Sequence, residues 1–481
     1  MATTSPTYRT HPSATGGMPP GIPFIVGNEA AERFSFYGMK SILVVFMTQH
    51  LLSSAGRPDF MTETESREWM HLFVASAYFF PVIGGVIADA FLGKYLTILL
   101  LSLVYCAGHL CLALMDMPQP LLAATMEPRG WLLAGLALIA IGAGGIKPCV
   151  SAHVGDQFGQ SNRHLLERVF GWFYFAINFG SFFSTLLTPW LLEHHGAGWA
   201  FGVPGILMAV ATLVFWLGRH RFVHVPPRGP VYFAETFGPE GLAAIAKLVP
   251  LYLLVAVFWS LYDQTGSAWV QQAERMHRRF LGYDWLPSQI QAINPLLVLL
   301  FIPLFGFVIY PAVGRLVNFT PLRRILVGFG LAVAAFAISA RAQGLIDAES
   351  ARLAAGGLGP EAARWPSVVW QLVAYVVITA AEILVSITCL EFSYTQAPPQ
   401  MKSFVMSLYL LSVSLGNLFT AAVNSFTKDA SGESILAGAS YYWFFTACMA
   451  VATLLLVPVV LLYRPREYLQ QEADGPASSP L

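Results

Sequence analysis

Twelve separate stretches, each long enough and apolar enough to form a membrane-crossing helix, account for most of this 481-residue chain. A helix needs roughly 20 mostly apolar residues to cross the hydrocarbon core. Such stretches lie near 22–52, 69–92, 95–116, 130–153, 167–192, 199–218, 247–271, 288–312, 321–341, 367–392, 402–426 and 440–463, separated by short polar or Gly/Pro-marked turns. Composition agrees: 56% of residues are hydrophobic and 11% charged, against about 25% charged in soluble domains. The chain is expected to be an all-α polytopic membrane protein. Twelve spans exclude a seven-span receptor, and 27 basic against 27 acidic residues leave no net charge to attract nucleic acid.

The longest connection, Arg219 to Ala246, follows the sixth span, contains PPRGP and is too short for two further spans. It divides the chain into a bundle over 21–220, a linker over 221–246 and a second six-helix bundle over 247–465. Residues 1–20, polar and rich in Pro, Thr and Gly, and residues 466–481 read as disordered tails. Lys and Arg in the loops favour placing both termini in the cytoplasm, with the Arg275–Arg279 loop as the exception. The five cysteines follow no metal-ligand spacing and read as small apolar residues.

Against this apolar background the stretch EAAERFSFYGMK, Glu29 to Lys40, puts four ionisable side chains inside the first span. Glu29, Glu32, Arg33, Phe36, Tyr37 and Lys40 recur at spacings of three and four, which gathers them on one helix face. His71, Lys147, Asp263 and Glu382 add charges or titratable groups in four further spans. Intramembrane charge is expensive and marks a cavity or a pathway. Counting about 1.5 Å per residue from each end layers these groups. Glu29, Glu32, Arg33 and Lys147 fall in the cytoplasmic half, Glu382 and Asn178 near the middle, and Lys40, His71 and Asp263 toward the outside.

These residues resemble the proton-dependent oligopeptide transporters of the major facilitator superfamily. EAAERFSFYG is similar to that family's first-helix motif, and GGVIADAFLGKYLTI (Gly84 to Ile98) to its second-to-third-helix signature, with Asp89 and Lys94 at the turn. GAGGIKPCVSAHVGDQF (Gly142 to Phe158) resembles its fourth-helix segment. FYFAINFGSFFS, QAINPLLVLLFIPLF and AEILVSITCLEFSYTQAPPQMKS continue the likeness in family order to the eleventh span.

The resemblance implies the major facilitator fold and proton-coupled uptake of di- and tripeptides by alternating access. It implies a proton-coupling set of Glu29, Glu32, Arg33, His71 and Asp263, with Lys147 exchanging partners with the first three and Lys40 pairing with Asp263. The implied substrate-binding set is Tyr37, Lys40, Tyr78, Lys147, Asn178, Asn294 and Glu382. It further implies a multi-pass protein of the bacterial inner membrane that works as a monomer, driven by the proton gradient with no cofactor. Two positions depart from the common pattern: Phe36 stands where many members carry tyrosine, and Lys40 where many carry arginine.

The chemistry suits such a cargo. Every short peptide presents an amine and a carboxylate, so Glu382 on one half and Lys40 and Lys147 on the other read both ends whatever the side chains between. Tyr37, Tyr78, Phe36, Trp259 and Trp443 are candidate walls. A same-fold carrier of nitrate or another small solute remains the alternative. A membrane enzyme is disfavoured, since the chain carries no HExxH, GxSxG or clustered Cys/His motif.

Overall fold

A computed structural model of the protein describes residues 8–13, 16–115, 126–396, 402–429 and 434–463. Of the tails expected at 1–20 and 466–481, residues 1–7, 14–15 and 466–481 lie outside the described residues, as does the APPQM stretch of the sixth quoted motif.

The chain is helical nearly throughout. The first half comprises α1 (Ile22–Val45), α2 (Glu63–Val86), α3 (Lys94–Leu114), α4 (Pro128–Asp156), α5 (Leu166–His195) and α6 (Ala197–Leu217). A short α7 (Val231–Thr236) lies in the linker. The second half comprises α8 (Pro239–Tyr262), α9 (Ala268–Glu274), α10 (Ile293–Leu304), α11 (Tyr310–Gly314), α12 (Pro321–Gly356), α13 (Val369–Glu382), α14 (Thr388–Gln396), α15 (Lys402–Phe426) and α16 (Ala439–Leu462). Among the described residues eleven helical segments are long and apolar enough to cross a membrane. α1, continued by a wider turn at Phe46–His50, makes the twelfth. Its four charges keep it below the apolar standard the others meet, which is why it is informative.

Helix boundaries follow local chemistry. α2 starts where Thr62 Oγ1 accepts the Glu65 N–H at 3.1 Å, with Glu63 and Glu65 in the first turn facing the positive end of the helix dipole. α4 and α12 open on Pro128 and Pro321, whose missing N–H costs nothing in a first turn. α12 ends at Gly357, whose φ of +59° suits glycine. The seventh span starts at Pro239 rather than near 247, and a tight turn at Asp263–Gly266 breaks it into α8 and α9. The tenth span is interrupted just after Glu382 by a wider turn at Ile383–Ile387. Irregular turns of this kind are frequent at functional sites.

Each half has its own apolar core. One gathers residues such as Ile25, Phe36, Tyr105, Ile139 and Phe201. The other gathers Phe258, Trp269, Phe329, Tyr375 and Phe445. Small residues allow the closest crossings: a Cβ on Gly84 would lie 2.4 Å from the Cα of Gly145, and one on Gly416 would lie 2.3 Å from the Ala256 carbonyl oxygen. Without a water-driven hydrophobic force between helices in lipid, such approach supplies packing energy.

The start of α1, the end of α16, the α2–α3 and α4–α5 turns and the linker share one end, the terminal face. The loops after α1, α5, α9, α12 and α15 share the other, the far face. Residues 8–13 do not behave as a free tail. The His224 N–H donates to the Arg9 carbonyl at 2.7 Å, and the Tyr8 ring stacks on His224 at 4.1 Å.

Candidate functional site

Inward-facing polar residues of both halves surround a central cavity of about 270 Å³. Tyr37 and Lys40 of α1, Tyr78 of α2 and Asn178 of α5 line it from the first half. Trp259, Asp263, Asn294 and Glu382 line it from the second. Helical spacing on α1 accounts for the first pair, while the break at Asp263 and the wider turn after Glu382 leave those carboxylates at interruptions in their helices. Glu382 accepts a hydrogen bond from Asn294 Nδ2 at 2.9 Å, and Asn294 also donates to Thr379 Oγ1 at 3.0 Å. Asn178 donates to the Tyr174 carbonyl of its own helix. Trp443, a candidate wall, is half exposed on α16 and absent from the cavity lining. An indole there is better placed for lipid, where Trp is common at the interface.

A second cavity, about 490 Å³, adjoins the first at Tyr78, Ile177 and Tyr409 and extends past Lys147 toward Asp89 and Lys94 at the terminal face. Glu29 and Arg33 line its wall. Arg33 Nε donates to Glu29 Oε1 at 2.7 Å and makes an ion contact of 3.2 Å with Glu32 Oε2. Both glutamates are fully buried, and among the described residues neither Glu32 oxygen receives a well-aligned hydrogen bond. One guanidinium thus neutralises only part of two buried acids.

Lys147 sits apart from that triad in hydrogen bonding. Its ammonium lies 3.9 Å from the Phe36 ring centre and 4.1 Å from that of Tyr78, and among the described residues no hydrogen-bond partner reaches Nζ. Two aromatic faces attract a cation but do not replace a carboxylate. Phe36, which has no hydroxyl to offer, serves this site as the floor beneath Lys147. The sequence places Lys147 toward a peptide carboxylate; here it faces the second cavity and is not part of the central lining.

The outer cluster is a continuous chain of contacts. Lys40 Nζ donates to Asp263 Oδ1 at 2.7 Å, across the two halves. Asn417 of α15 donates through Nδ2 to Asp263 Oδ2 at 2.7 Å, and its Oδ1 lies 2.7 Å from His71 Nδ1. His71 Nε2 lies 2.9 Å from Ser267 Oγ. His71 and Asn417 are fully buried and Asp263 nearly so. Closer to the far face, Gln271 Nε2 donates to Ser66 Oγ, and Arg275 pairs with Glu63 at 2.7 Å. Lys428 pairs with Glu68 there too. Apart from the Asn417–Asp263 bond, which lies within the second half, all these links join the halves. Ser267, Gln271 and Asn417 escape sequence reasoning because a neutral polar residue in an apolar helix carries no signal of depth or partner.

Near the terminal face, Lys94 pairs with Asp156 at 2.7 Å within the first half. Ion pairs therefore tie the two halves together at the far end, whereas Arg33–Glu29 and Lys94–Asp156, which flank the second cavity, each lie within the first half.

A comparison with family profiles matches the POT family over residues 95–239 and 239–444. The chain belongs to the POT family. Curated relatives of this POT-family chain include human solute carrier family 15 member 2, 38% identical over 379 residues covering 70% of this chain and 51% of that protein. Peptide transporter family 1 of Drosophila melanogaster is 38% identical over 362 residues, covering 67% and 47%. The chain spans about half the length of the curated relatives it matches. Among solved structures, an auto-inhibited POT family peptide transporter superposes with a TM-score of 0.81 at 36% identity, covering 94% of this chain and 99% of that one. The POT family transporter PepTSo gives 0.79 at 35%, covering 92% and 98%. The fold is thus that of the POT-family transporters, an all-α polytopic membrane protein of the major facilitator type.

Proposed function

We propose that this chain is a secondary transporter that takes up di- and tripeptides together with protons, by alternating access between its two halves. The observation that carries the reading is the central cavity itself. It joins a buried carboxylate on the second half, Glu382, to a cation on the first, Lys40, at the level where the halves meet. An amine and a carboxylate held at fixed separation are what every short peptide offers, and charge-assisted hydrogen bonds of about 1.5–3 kcal/mol each offset the desolvation of those ends. Its relatives, peptide transporters in several cases, support the same cargo.

Proton coupling rests on two clusters that straddle the cavity. Protonating Glu32 leaves Arg33 with one acid rather than two and frees it to engage a substrate carboxylate. Protonating Asp263 weakens its hold on Lys40 and releases the far end. A proton shifts the equilibrium only by its differential affinity for the two conformations; the Lys40–Asp263 cluster supplies such a difference because its partners separate when the halves rock, and the Glu32–Arg33 cluster because a substrate carboxylate competes for Arg33. We place the terminal face in the cytoplasm of a bacterial inner membrane. The captured conformation is then open inward, and the transporter acts as a monomer driven by the proton gradient without a cofactor.

The deciding experiment is dipeptide uptake by purified protein in liposomes, with and without an inward proton gradient. Accumulation above equilibrium only with the gradient, blocked by tripeptides and not by free amino acids or nitrate, is expected. Gradient-independent equilibration, or competition by nitrate alone, overturns the reading.

A further inference from the structure

We propose that Asn417 holds His71 in the tautomer whose proton sits on Nδ1, and thereby makes Nε2, facing Ser267, the atom through which His71 gains and loses a proton.

The orientation of the Asn417 amide is settled by what surrounds it. Its Nδ2 lies 2.7 Å from Asp263 Oδ2 and 2.9 Å from the Val413 carbonyl oxygen. A carboxylate and a carbonyl only accept, so both must face the NH2 group, and its two hydrogens are thereby committed. Rotating the amide by half a turn sets its oxygen against both acceptors. Oδ1 must therefore face His71 Nδ1, at 2.7 Å. An amide oxygen has no proton to give, so the hydrogen in that contact belongs to Nδ1. In the neutral imidazole Nε2 is then the bare nitrogen, and the Ser267 hydroxyl at 2.9 Å is its donor. When a proton arrives it binds Nε2, and the serine hydroxyl turns from donor to acceptor.

Asn417 also separates two titrating groups that would otherwise meet. Asp263 and His71 each touch the amide and, among the contacts described, not each other. An amide carries no proton between them, yet it transmits polarity. While Asp263 is ionised the NH2 end stays turned toward it. A protonated Asp263 accepts more weakly from that NH2 group, so Asn417 is held in this orientation chiefly by the Val413 carbonyl and its grip on the Nδ1 tautomer loosens. His71 thus reads the charge state of the Lys40–Asp263 pair without sharing its proton. The remaining charges that face the ring are Lys40 and Arg67, and neither is hydrogen-bonded to it. Asn417 is a positioning residue in this scheme, since it contacts two proton-binding groups and holds no labile proton itself.

The inference rests on the proton-coupled reading above, but its first test does not depend on transport. Histidine labelled with nitrogen-15 distinguishes the two tautomers by the separate chemical shifts of Nδ1 and Nε2. A His71→Gln sample identifies the His71 signal among the eleven histidines of the chain. The protonated-Nδ1 pattern is expected in neutral wild type, and an Nε2-protonated pattern overturns the proposal. Two variants then bear on function. Asn417→Asp keeps an acceptor for Nδ1–H and adds negative charge beside the ring, so the pH at which His71 and uptake titrate should rise by about one unit. Asn417→Leu removes the acceptor, frees the tautomer and should lower that pH while reducing uptake about tenfold. Shifts of opposite sign in two folded variants cannot come from loosened packing alone. Identical pH profiles in wild type and both variants overturn the coupling role. If the tautomer is as expected but uptake ignores the proton gradient, the tautomer assignment stands and the proton-coupled reading falls.

Discussion

At the far end Lys40 reaches across to Asp263 on the other half, with His71, Asn417 and Ser267 closing the gap beside it. At the terminal end Arg33 folds back on Glu29 of its own helix, and Lys147 is left against two rings. The same residue types thus perform different work. At the far end they form a clasp, whose partners would separate in the proposed cycle when the halves part. At the terminal end they are a store of incompletely neutralised charge, ready to change partners without moving a helix. The difference teaches that a buried acid–base pair stabilises one conformation over another only when its members lie on bodies that move apart.

Four substitutions break or sharpen that contrast, and they are expected to fall in the following order of effect. Lys147→Ala removes the uncommitted cation of the terminal store. Proton-driven accumulation of dipeptide in liposomes should fall to background, while exchange of labelled for unlabelled dipeptide persists. Accumulation equal to wild type would show that the store is not needed for coupling. Lys40→Ala leaves Asp263 buried without its ion pair in the closed far end. Removing one partner of such a pair costs about 3–5 kcal/mol, so the far-open conformation should gain at least a hundredfold in population. Distances between spin labels placed on the loops at 53–56 and 278–282 report the change, and an unchanged distribution would mean that the clasp lies elsewhere.

Phe36→Leu keeps volume but removes one ring from beneath Lys147. Loss of a cation–π contact worth about 0.5–2 kcal/mol should reduce uptake a few-fold and move its pH profile. Phe36→Tyr should remain close to wild type in both. Smallest is Arg275→Ala: its pair with Glu63 is half exposed, and exposed pairs contribute about 0–1 kcal/mol. Uptake should change less than twofold, and the difference should vanish in high salt.

Much of this was legible in the sequence, for a definite reason. A charge in an apolar span is costly, so Glu29, Glu32, Arg33, Lys40, Lys147, Asp263 and Glu382 announce themselves, and the spacing on α1 tells which of them share a face. The Lys40–Asp263 pair and the neighbourhood of Asn178 and Glu382 follow from depth counting and from the family likeness. Asn417 and Ser267 were silent because asparagine and serine are inexpensive to bury once bonded to a helix carbonyl, as many are in this chain. Phe36 under Lys147 was silent for a different reason: a cation over a ring leaves no pattern in spacing. Trp443 misled because an aromatic residue near a helix end suits a cavity wall and a lipid interface equally well. The seating of Tyr8 on His224 lay beyond composition, since a Pro- and Thr-rich segment can still stack one ring when a loop offers a partner.

α12 carries a last consequence. At 1.5 Å per residue its 36 residues reach about 54 Å, whereas the hydrocarbon layer is about 30 Å thick. Several turns must stand clear of the bilayer beyond the far face, as a rigid mast carrying the Glu349–Arg352 pair. A single-domain antibody raised against that mast would bind spheroplasts with a sealed inner membrane if the far face looks outward and only ruptured ones if it looks inward. It would read the sidedness of the whole molecule without any tag on the chain.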